Sequence, residues 1–379
     1  MGQTLRGGGE QSAMYILIDS GTTTTRVRVT DGQHVLAAAS ERIGARDTAR
    51  EGNNRRLRAA LRRLLQAAVA EAGVALGNVE AIVASGMITS NAGLLEVPHV
   101  PAPAGPADLA RYIVTAVFPD ISPQPIHFIP GVKTIGTGPD NLPKMDILRG
   151  EEAEVTGLRQ LLNLNIPVTF LHYGSHHKGI RTDARGSILC SETTMTGELL
   201  QAITNGTVLS ATVLPLEEIQ LDREAWRQGL AIAQEEGFGR AVFLVRVAEQ
   251  MMGYSRQEAS NFLLGALTSL DLPMVERALA EGDHLVLYGN GHFPLILRQH
   301  LEERGQGDRV TVVSAEMVEL ATVMGAVAIY RHKRGRERID SHQVCTAGRT
   351  DGGQSDCHPA WGGTREVARF GGGAAGRRD

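Results

Sequence analysis

The chain has 379 residues, a formal net charge of −4 at pH 7 and 42% hydrophobic residues. This length predicts two domains, and the slightly acidic balance argues against nucleic acid or an anionic membrane as a partner. No apolar run reaches the length of a membrane span, and the first residues lack the apolar region of a signal peptide. Because Cys190, Cys345 and Cys357 are far apart and lack metal-ligand spacing, we expect a cytoplasmic protein with reduced thiols.

Residues 15–29 predict a β-hairpin with a polar turn. The apolar residues Tyr15–Ile18 form its first strand, Asp19 ends that strand, Gly21 opens the turn, and a second strand begins at Arg26. A hairpin differs from the strand-to-helix turn of a P-loop, but its carboxylate, hydroxyl and amide groups suit nucleotide phosphates with Mg²⁺. An ordinary hairpin with a threonine-rich turn is the alternative.

The remainder of the first half predicts alternating strands and helices. A loop of small and polar residues, Gly86–Gly93, follows a predicted strand at its carboxyl end, where ligands collect in open α/β sheets. A proline-rich passage, Pro98–Pro106, predicts a loop over the surface or a cleft. The predicted strands are His34–Ala39, Val79–Ser85 and Pro125–Ile129, and the predicted helices are Arg50–Ala72, Ala107–Phe118 and Arg149–Leu162.

The second half repeats this pattern. The strand Val168–Tyr173 leads into a polar turn, Gly174–Gly179, and a second strand, Ile180–Thr182. The later predicted elements are a strand at Ser187–Thr193, a helix at Thr196–Ile203, a mainly helical region at Leu216–Ala280, a strand at His284–Tyr288 that ends in the turn Gly289–Gly291, a helix at Pro294–Glu303, a strand at Arg309–Val313 and a helix at Glu316–Tyr330. The repetition predicts an internal duplication with a cleft between the halves.

We therefore predict two domains, residues 14–163 and residues 164–330. Residues 1–13 are glycine-rich and polar, and residues 331–379 show no apolar periodicity. Both segments are predicted to be disordered, as a leader and a tail, because such compositions bury too little apolar surface to offset the entropy of ordering.

Six short motifs support a closer comparison. They are Ile18–Thr22, Gly86–Gly93, Ile129–Gly131, Arg149–Glu152, Gly174–Lys178 and Met195–Leu199. In this order they resemble the motifs of the 2-dehydro-3-deoxygalactonokinase family, which belongs to the sugar kinase, Hsp70 and actin superfamily. The resemblance covers residues 14 to about 330. It implies an α/β fold of two duplicated actin-like (ribonuclease H-like) ATPase domains with an interdomain cleft.

The resemblance also implies a reaction and its binding residues. The reaction would be the ATP- and Mg²⁺-dependent phosphorylation of a 2-keto-3-deoxy sugar acid, 2-dehydro-3-deoxy-D-galactonate, to its 6-phosphate. The implied ATP residues are Asp19, Gly21, Thr22 and Thr23 in the first phosphate turn, Gly174, Ser175 and His176 in the second, and Gly289, Asn290 and Gly291 at the adenosine side. Asp19 would also hold the metal. The implied sugar-acid residues are Gly86, Met87, Ser90 and Asn91.

This sequence departs from the family pattern at three places. Family members usually carry Trp where Ser20 and Gly179 stand, and Gly-Thr-Ser where this chain has the turn Gly289–Gly291. Loss of two tryptophans beside the phosphate turns would alter the shape of the cleft. These departures therefore bear on the exact substrate more than on the type of reaction.

A kinase of this kind needs a base for the substrate hydroxyl. Glu151 and Glu152 open a predicted helix in a segment, Gly-Glu-Glu-Ala, that resembles one in exopolyphosphatases whose Glu is the base. Either glutamate is predicted to be that base. The alternative is that both only stabilise the positive end of the helix dipole. His176 and His177, in the second turn, are the next candidates.

Two basic residues have a catalytic and a structural interpretation. Lys178 would neutralise the charge on the transferred phosphate, or it is a surface lysine. Arg149 would bind the substrate carboxylate in a bidentate manner, or it pairs with the neighbouring acids.

Two other functions are compatible with the same fold. A polyphosphate- or nucleotide-hydrolysing enzyme is supported only by the Gly-Glu-Glu-Ala segment, and a non-catalytic sugar sensor derived from a kinase lacks a visible DNA-binding segment. The expected partners are therefore ATP and a small sugar acid, without nucleic acid or a membrane. A homodimer is also compatible with the sequence.

Overall fold

The computed structural model describes residues 13–136, 139–289 and 291–347, with side chains up to Arg336. The chain divides into two units, Met1–Arg336 and Glu337–Asp379, and the three sheets of the described residues lie in the first unit. The strands are β1 (Met14–Ser20), β2 (Thr25–Thr30), β3 (Val35–Glu41), β4 (Val79–Gly86), β5 (Val100–Pro101), β6 (Val114–Phe118), β7 (Ser122–Phe128), β8 (Val132–Thr134), β9 (Asp146–Leu148), β10 (Val168–Tyr173), β11 (His177–Thr182), β12 (Ile188–Thr194), β13 (His284–Gly289) and β14 (Val310–Val312).

The helices occupy the segments between these strands and the region after β14. They are α1 (Ala45–Glu51), α2 (Arg55–Glu71), α3 (Pro106–Arg111), α4 (Glu151–Leu161), α5 (Thr196–Gly206), α6 (Arg223–Glu236), α7 (Phe238–Met252), α8 (Arg256–Ala280), α9 (Phe293–Glu303) and α10 (Ala315–Ala347). In the described part of the chain, no single helix is long and apolar enough to cross a membrane. One bent pair, Thr196–Gly206 with Val208–Glu218, passes that test by length and composition.

Two sheets repeat one topology. The first has the order β3-β2-β1-β4-β7-β6 and the second has the order β12-β11-β10-β13-β14. In each sheet, the first three strands in this order pair antiparallel, and the third of them, β1 or β10, pairs in parallel with the next strand. The parallel pairing continues to β7 in the first sheet and to β14 in the second, and β6 is antiparallel to β7 at the edge of the first sheet. A small third sheet, β5-β8-β9, was not predicted. The repeat confirms the predicted α/β fold with two duplicated halves.

Strand β1 is buried on both faces, which explains its continuous apolar sequence. Ile16 and Ile18 pack on one face with Leu57 and Leu61 of α2. Tyr15 and Leu17, on the other face, belong to a core cluster that also contains residues of α4 and α10. Because successive side chains of a strand point to opposite faces, α2 covers one face of the first sheet, and α4 and α10 cover the other face.

Helices α4 and α10 pack closely because glycine stands at both contact points. A Cβ at Gly157 would lie 1.8 Å from the Ala321 carbonyl oxygen, and a Cβ at Gly325 would lie 1.9 Å from the Ala153 carbonyl oxygen. Helix α10 follows the second sheet in sequence but shares a core cluster with β1 of the first sheet. It therefore connects the inner sides of both halves.

Three predictions about the elements were wrong. The predicted helix Ala107–Phe118 ends at Arg111, because Val114–Phe118 pairs with β7 as an edge strand. The predicted tail does not begin at Arg331, since α10 continues to Ala347. The second hairpin turn is shorter than predicted, because β11 begins at His177. Residues 1–12 and 348–379, which include most of the predicted leader and tail, lie outside the described residues.

Candidate active site

A cleft of ≈ 1070 Å³ lies at the carboxyl ends of the central strands of both sheets. This is where ligands bind in open α/β sheets. The predicted site residues that line it are Asp19, Gly21, Thr22, Thr23, Gly86, Met87, Ser90, Asn91, Arg149, Glu151, Ser175, His176, Lys178 and Gly289. Glu152, Gly174 and Gly291 do not line it, and Asn290 lies outside the described residues.

The first hairpin turn is held by the start of α1. The Ala45 and Arg46 amides donate to the carbonyl oxygens of Gly21 and Thr22, at 3.1 and 2.9 Å. A Cβ at Gly44 would lie 2.6 Å from the carbonyl oxygens of Gly21 and Thr22, so only glycine allows this approach. These contacts occupy the carbonyl groups of the turn. Its amides and hydroxyls are the groups that could bind an anion.

Asp19 ends β1 at the wall of the cleft, between two arginines. Its Oδ2 lies 3.8 Å from Nη1 of Arg26 and 3.7 Å from Nη1 of Arg28. Burial raises the pKa of Asp19 above its ordinary value, and the two arginines oppose this shift without cancelling it. These distances exceed those of direct hydrogen bonds, so the carboxylate oxygens can still accept from bound water.

The residues around Asp19 fit a magnesium ion that is held mainly by water and phosphate. Within the described residues there is no group of three or more His, Cys, Asp or Glu side chains that could hold a metal. Mg²⁺ in nucleotide sites keeps several waters and needs only one or two carboxylates besides the phosphates. A single accessible carboxylate beside the first hairpin turn could therefore take part in such a site through bound water.

Glu151 and Glu152, at the start of α4, have different surroundings. Glu151 lines the cleft, and its Oε2 accepts a hydrogen bond from the Arg149 amide at 2.9 Å. Glu152 is fully buried, and its Oε2 accepts from the Gly150 amide at 2.7 Å while its Oε1 has no hydrogen-bond partner. Only Glu151 can present a carboxylate oxygen to a ligand in the cleft.

The two glutamates also differ in their protonation states. Burial favours the neutral form of Glu151, but the neighbouring His172 imidazole and the charge of Lys178 lower its pKa to about 2. For Glu152, burial and the neighbouring Glu151 charge raise the pKa to about 8. At neutral pH, Glu151 is therefore an ionised carboxylate in the cleft, whereas Glu152 is a buried carboxylic acid.

Lys178 lies on the floor of the cleft rather than on the surface. It is 9% exposed, and its Nζ donates to Thr193 Oγ1 at 3.1 Å and to the Ile147 carbonyl oxygen at 3.3 Å. The same Nζ is 3.9 Å from Oε1 of Glu151. The structure thus contradicts the surface interpretation of this residue and leaves its ammonium group facing the Glu151 carboxylate.

The second hairpin turn is held by the start of α5, as the first is held by α1. The Glu198 amide donates to the Ser175 carbonyl oxygen at 2.8 Å. A Cβ at Gly197 would lie 2.1 Å from the Gly174 carbonyl oxygen. The Glu198 side chain also lies 3.5 Å from His176 Nε2 and 3.9 Å from Arg46 of α1, so it connects the two turns.

His177 does not face the cleft. It is 2% exposed, and its Nδ1 lies 2.6 Å from Oδ2 of Asp271 in α8. Thr194 and Thr196 donate to the other Asp271 oxygen at 2.7 and 2.8 Å. His177 therefore helps to hold the second turn in place and is not positioned to act as a base.

The predicted adenosine-side turn depends on the backbone freedom of glycine. Gly289 has φ +120°, and a Cβ there would lie 2.3 Å from the Tyr173 carbonyl oxygen. Gly291 has φ +80° and lies beside the Leu216 side chain. Both positive φ angles favour glycine.

Arg149 is bound to the loop that was predicted to face the sugar acid. Its Nη1 donates to the carbonyl oxygen of Thr89 at 2.6 Å and also contacts the Thr89 hydroxyl. Its Nη2 donates to the Val97 carbonyl oxygen at 3.0 Å and lies 3.1 Å from His99 Nε2. The guanidinium group therefore holds residues 89–99 in place, rather than pairing with the neighbouring glutamates.

Several cleft residues were not predicted from the sequence. Burial and the positive charges of Arg149 and Lys133 lower the pKa of His99 to about 4, so His99 is neutral near pH 7. The proline-rich passage indicated a loop near a cleft, but not which residues of that loop line the cleft.

Glu154 could have been predicted from the sequence, because it lies three residues after Glu151 and positions i and i+3 share a helix face. The unpredicted lining residues include Arg26, Arg28, Glu96, His99, Asp146, Glu154, His172, Thr193, Glu316, Glu319 and Thr322.

Comparisons with known proteins agree with this geometry. The sequence profile of the 2-keto-3-deoxy-galactonokinase family matches residues 19–326. The chain is 24% identical over 311 residues to the 2-dehydro-3-deoxygalactonokinase of Escherichia coli (strain K12). The matched region covers 80% of this chain and 94% of that protein. A crystal structure from Sinorhizobium meliloti, of a protein provisionally described as a 2-dehydro-3-deoxygalactonokinase, superposes with a TM-score of 0.66 at 24% identity, over 84% of this chain and 98% of that chain. Since the profile matches well over half of its length, the chain belongs to the 2-keto-3-deoxy-galactonokinase family.

Proposed function

We propose that the protein is a sugar-acid kinase that transfers the γ-phosphoryl group of ATP to 2-dehydro-3-deoxy-D-galactonate and forms its 6-phosphate. The observation that carries this proposal is the position of Glu151, an ionised carboxylate in the cleft that residues of both hairpin turns line. Membership of the family supports both the class of reaction and the substrate. The hydrolase and sensor alternatives have no comparable support.

The two hairpin turns are proposed to bind ATP. The amides and hydroxyls of Thr22 and Thr23 would donate to phosphate oxygens from one side, and Ser175 and His176 from the other. Asp19 would hold Mg²⁺ through water, and the ion would neutralise charge on the phosphates. The glycine turn that includes Gly289 would pack beside the adenosine.

Glu151 is proposed to be the base. Its Oε1 takes the proton of the substrate hydroxyl as the hydroxyl oxygen forms a bond to the γ-phosphorus. The bond between that phosphorus and the bridging β,γ-oxygen breaks, and ADP leaves with the electron pair. Lys178, whose Nζ lies 3.9 Å from Glu151, supplies positive charge beside the transferred group.

The sugar acid is proposed to bind on the side of the first sheet. Met87, Ser90 and Asn91 line that part of the cleft, and Arg149 fixes the loop behind them. A cytoplasmic location and a homodimer are further expectations from the sequence.

The test is an ADP-release assay across 2-keto-3-deoxy acids, aldonates and neutral hexoses, with Mg²⁺-ATP in excess. We expect the highest kcat/KM for 2-dehydro-3-deoxy-D-galactonate and a phosphorylated product by mass spectrometry. Equal ADP release with and without an acceptor would indicate a hydrolase. A preference for a neutral hexose would refute the proposed substrate.

A further inference from the structure

Three side chains of the second sheet lie in a row that faces α4. His172 on β10 pairs with Lys178 on the neighbouring antiparallel strand and with Tyr288 on the neighbouring parallel strand. Directly paired residues in adjacent strands point to the same face of a sheet. Glu151 and Glu154, three residues apart on α4, face this row. The row thus brings three polar side chains of one half against two carboxylates of the other.

His172 is the central member of the row, and its ring is fixed from two sides. It stacks on Tyr288 with ring centroids 4.9 Å apart and an interplanar angle of 12°. The Tyr288 hydroxyl donates to Oε2 of Glu154 at 3.0 Å, which holds the tyrosine against α4. On its other side, the imidazole lies against the second turn, because a Cβ at Gly174 would be 3.2 Å from Cε1 and Nε2 of His172.

The orientation of the ring directs one nitrogen at Glu151. His172 Nδ1 is buried without a hydrogen-bond partner and lies 3.8 Å from Oε1 of Glu151. The other Glu151 oxygen, Oε2, accepts from the Arg149 amide. Oε1 is therefore the oxygen left for the substrate, and His172 and Lys178 are the groups that flank it.

We propose that His172 is a positioning residue for phosphoryl transfer, which holds the Glu151 carboxylate with Oε1 toward the substrate hydroxyl and sets its place relative to the second phosphate turn. The inference rests on the proposed kinase function. In this interpretation, His172 links the proposed base, Glu151, to the second hairpin turn, which is proposed to bind ATP. A misplaced reacting group can cost on the order of 10²-fold in rate, so such a link matters for catalysis.

The test compares two substitutions at His172 with a matched control. His172→Phe keeps the ring on Tyr288 but removes both nitrogens, and His172→Gln restores a nitrogen donor. The control is His284→Phe, because His284 stands at the opposite end of β13, contacts Thr311 and does not line the cleft. The readouts are kcat, the KM values, the ADP dissociation constant, the melting temperature and a crystal structure of His172→Phe.

We expect His172→Phe to lower kcat by about 10²-fold, with the KM for ATP and the ADP dissociation constant within about twofold of the wild type. His172→Gln should recover about tenfold of that loss, and His284→Phe should keep the wild-type kcat. The crystal structure of His172→Phe should show the Glu151 carboxylate turned away from its wild-type position.

A wild-type kcat in His172→Phe, or an unmoved Glu151 in its crystal structure, would overturn the proposal. Failure of the proposed function looks different, because the wild type itself would then show no sugar-acid-dependent ADP release. In that case the position of Glu151 in the variant crystal structure still decides whether His172 holds it.

Discussion

Arg28 donates two hydrogen bonds to one oxygen of Glu319, from Nε at 2.9 Å and from Nη2 at 2.7 Å. Arg28 lies on β2, the strand that follows the first hairpin turn, and Glu319 lies on α10. The guanidinium group is buried, and its Nη1 has no hydrogen-bond partner. The pair therefore ties the hairpin that carries Asp19 to the helix that follows the second sheet.

Removal of Glu319 should destabilise the fold, because the buried Arg28 would lose the acceptor of two charged donors. We expect Glu319→Ala to lower the free energy of unfolding by about 1–3 kcal/mol in urea titration. The matched control is Glu41→Ala, which breaks the exposed Arg63–Glu41 pair and should cost less than about 1 kcal/mol. Equal losses in the two variants would contradict a structural role for the buried pair.

The two glutamates at the start of α4 should respond differently to substitution by Gln. We expect Glu151→Gln to lose about 10²–10⁴ in kcat with ATP affinity little changed, because an amide cannot take the hydroxyl proton. Glu152→Gln should keep most of the rate, since Glu152 is buried away from the cleft and is already protonated at neutral pH. Each variant is therefore the control for the other in steady-state kinetics.

The opposite outcome would redirect the assignment of the base. Loss of rate in Glu152→Gln alone would mean that Glu151 is not the base. Full activity of both variants would point to His176, which lines the cleft, rather than His177, which is paired with Asp271.

The sequence predicted the parts of the site that are local in the chain. Asp19, Gly21 and Thr22 form one short motif, and the structure places all three at the cleft. The alternation of apolar residues in the strands and the spacing of Leu57 and Leu61 in α2 likewise depend on near neighbours. The duplicated fold could be predicted because each half repeats such local patterns.

Other features depend on contacts between distant residues and had no local signal. Glu151 and Glu152 are adjacent in the same motif, and only the packing of α4 decides which one faces the cleft. His172 reaches Glu151 because strand pairing aligns β10 with its neighbours. Val114–Phe118 forms a strand rather than the predicted helix because it pairs with β7. Contacts between distant residues thus override the local propensity of this segment.

Glu152 should make stability depend on pH. Its pKa is raised from 4.5 to about 8 by burial, so the folded state keeps a proton that the unfolded state releases above about pH 4.5. The folded state is then progressively disfavoured as pH rises from about 4.5 to about 8. Glu152→Gln removes this effect, so its stability relative to the wild type should increase between pH 5 and pH 8.

Chemical denaturation of both proteins at pH 5, 6, 7 and 8 measures this difference. His172 and Glu154 also have raised pKa values and add to the slope of the wild type, but they are present in both proteins and largely cancel in the comparison. Parallel curves for the two proteins would show that Glu152 has no raised pKa.

The first turns of α10 beyond Tyr330 should contribute to stability. The Arg331 guanidinium lies 5.3 Å from the centroid of the Tyr15 ring, and Arg334 pairs with Glu80. A chain that ends at Tyr330 loses both contacts, whereas a chain that ends at Arg336 keeps them. We expect the shorter chain to melt several degrees lower, because about 1 kcal/mol shifts a domain of 150–250 residues by roughly 2–4 °C. Identical melting temperatures would show that these contacts are energetically neutral.

A substitution of Arg149 tests whether its guanidinium group binds the carboxylate of the sugar acid or only holds the protein's own loop. Its terminal nitrogens already donate to Thr89 and Val97, so we expect Arg149→Met to disorder the loop between them and to lower kcat/KM. The loss should be similar for the sugar acid and for its neutral analogue in which an alcohol replaces the carboxylate. A group that binds the carboxylate behaves differently. Its removal weakens the binding of the sugar acid by about 1.5–3 kcal/mol and leaves the binding of the neutral analogue unaffected. Steady-state kinetics with both acceptors separates the two roles, and a loss confined to the acid would show that Arg149 binds the substrate directly.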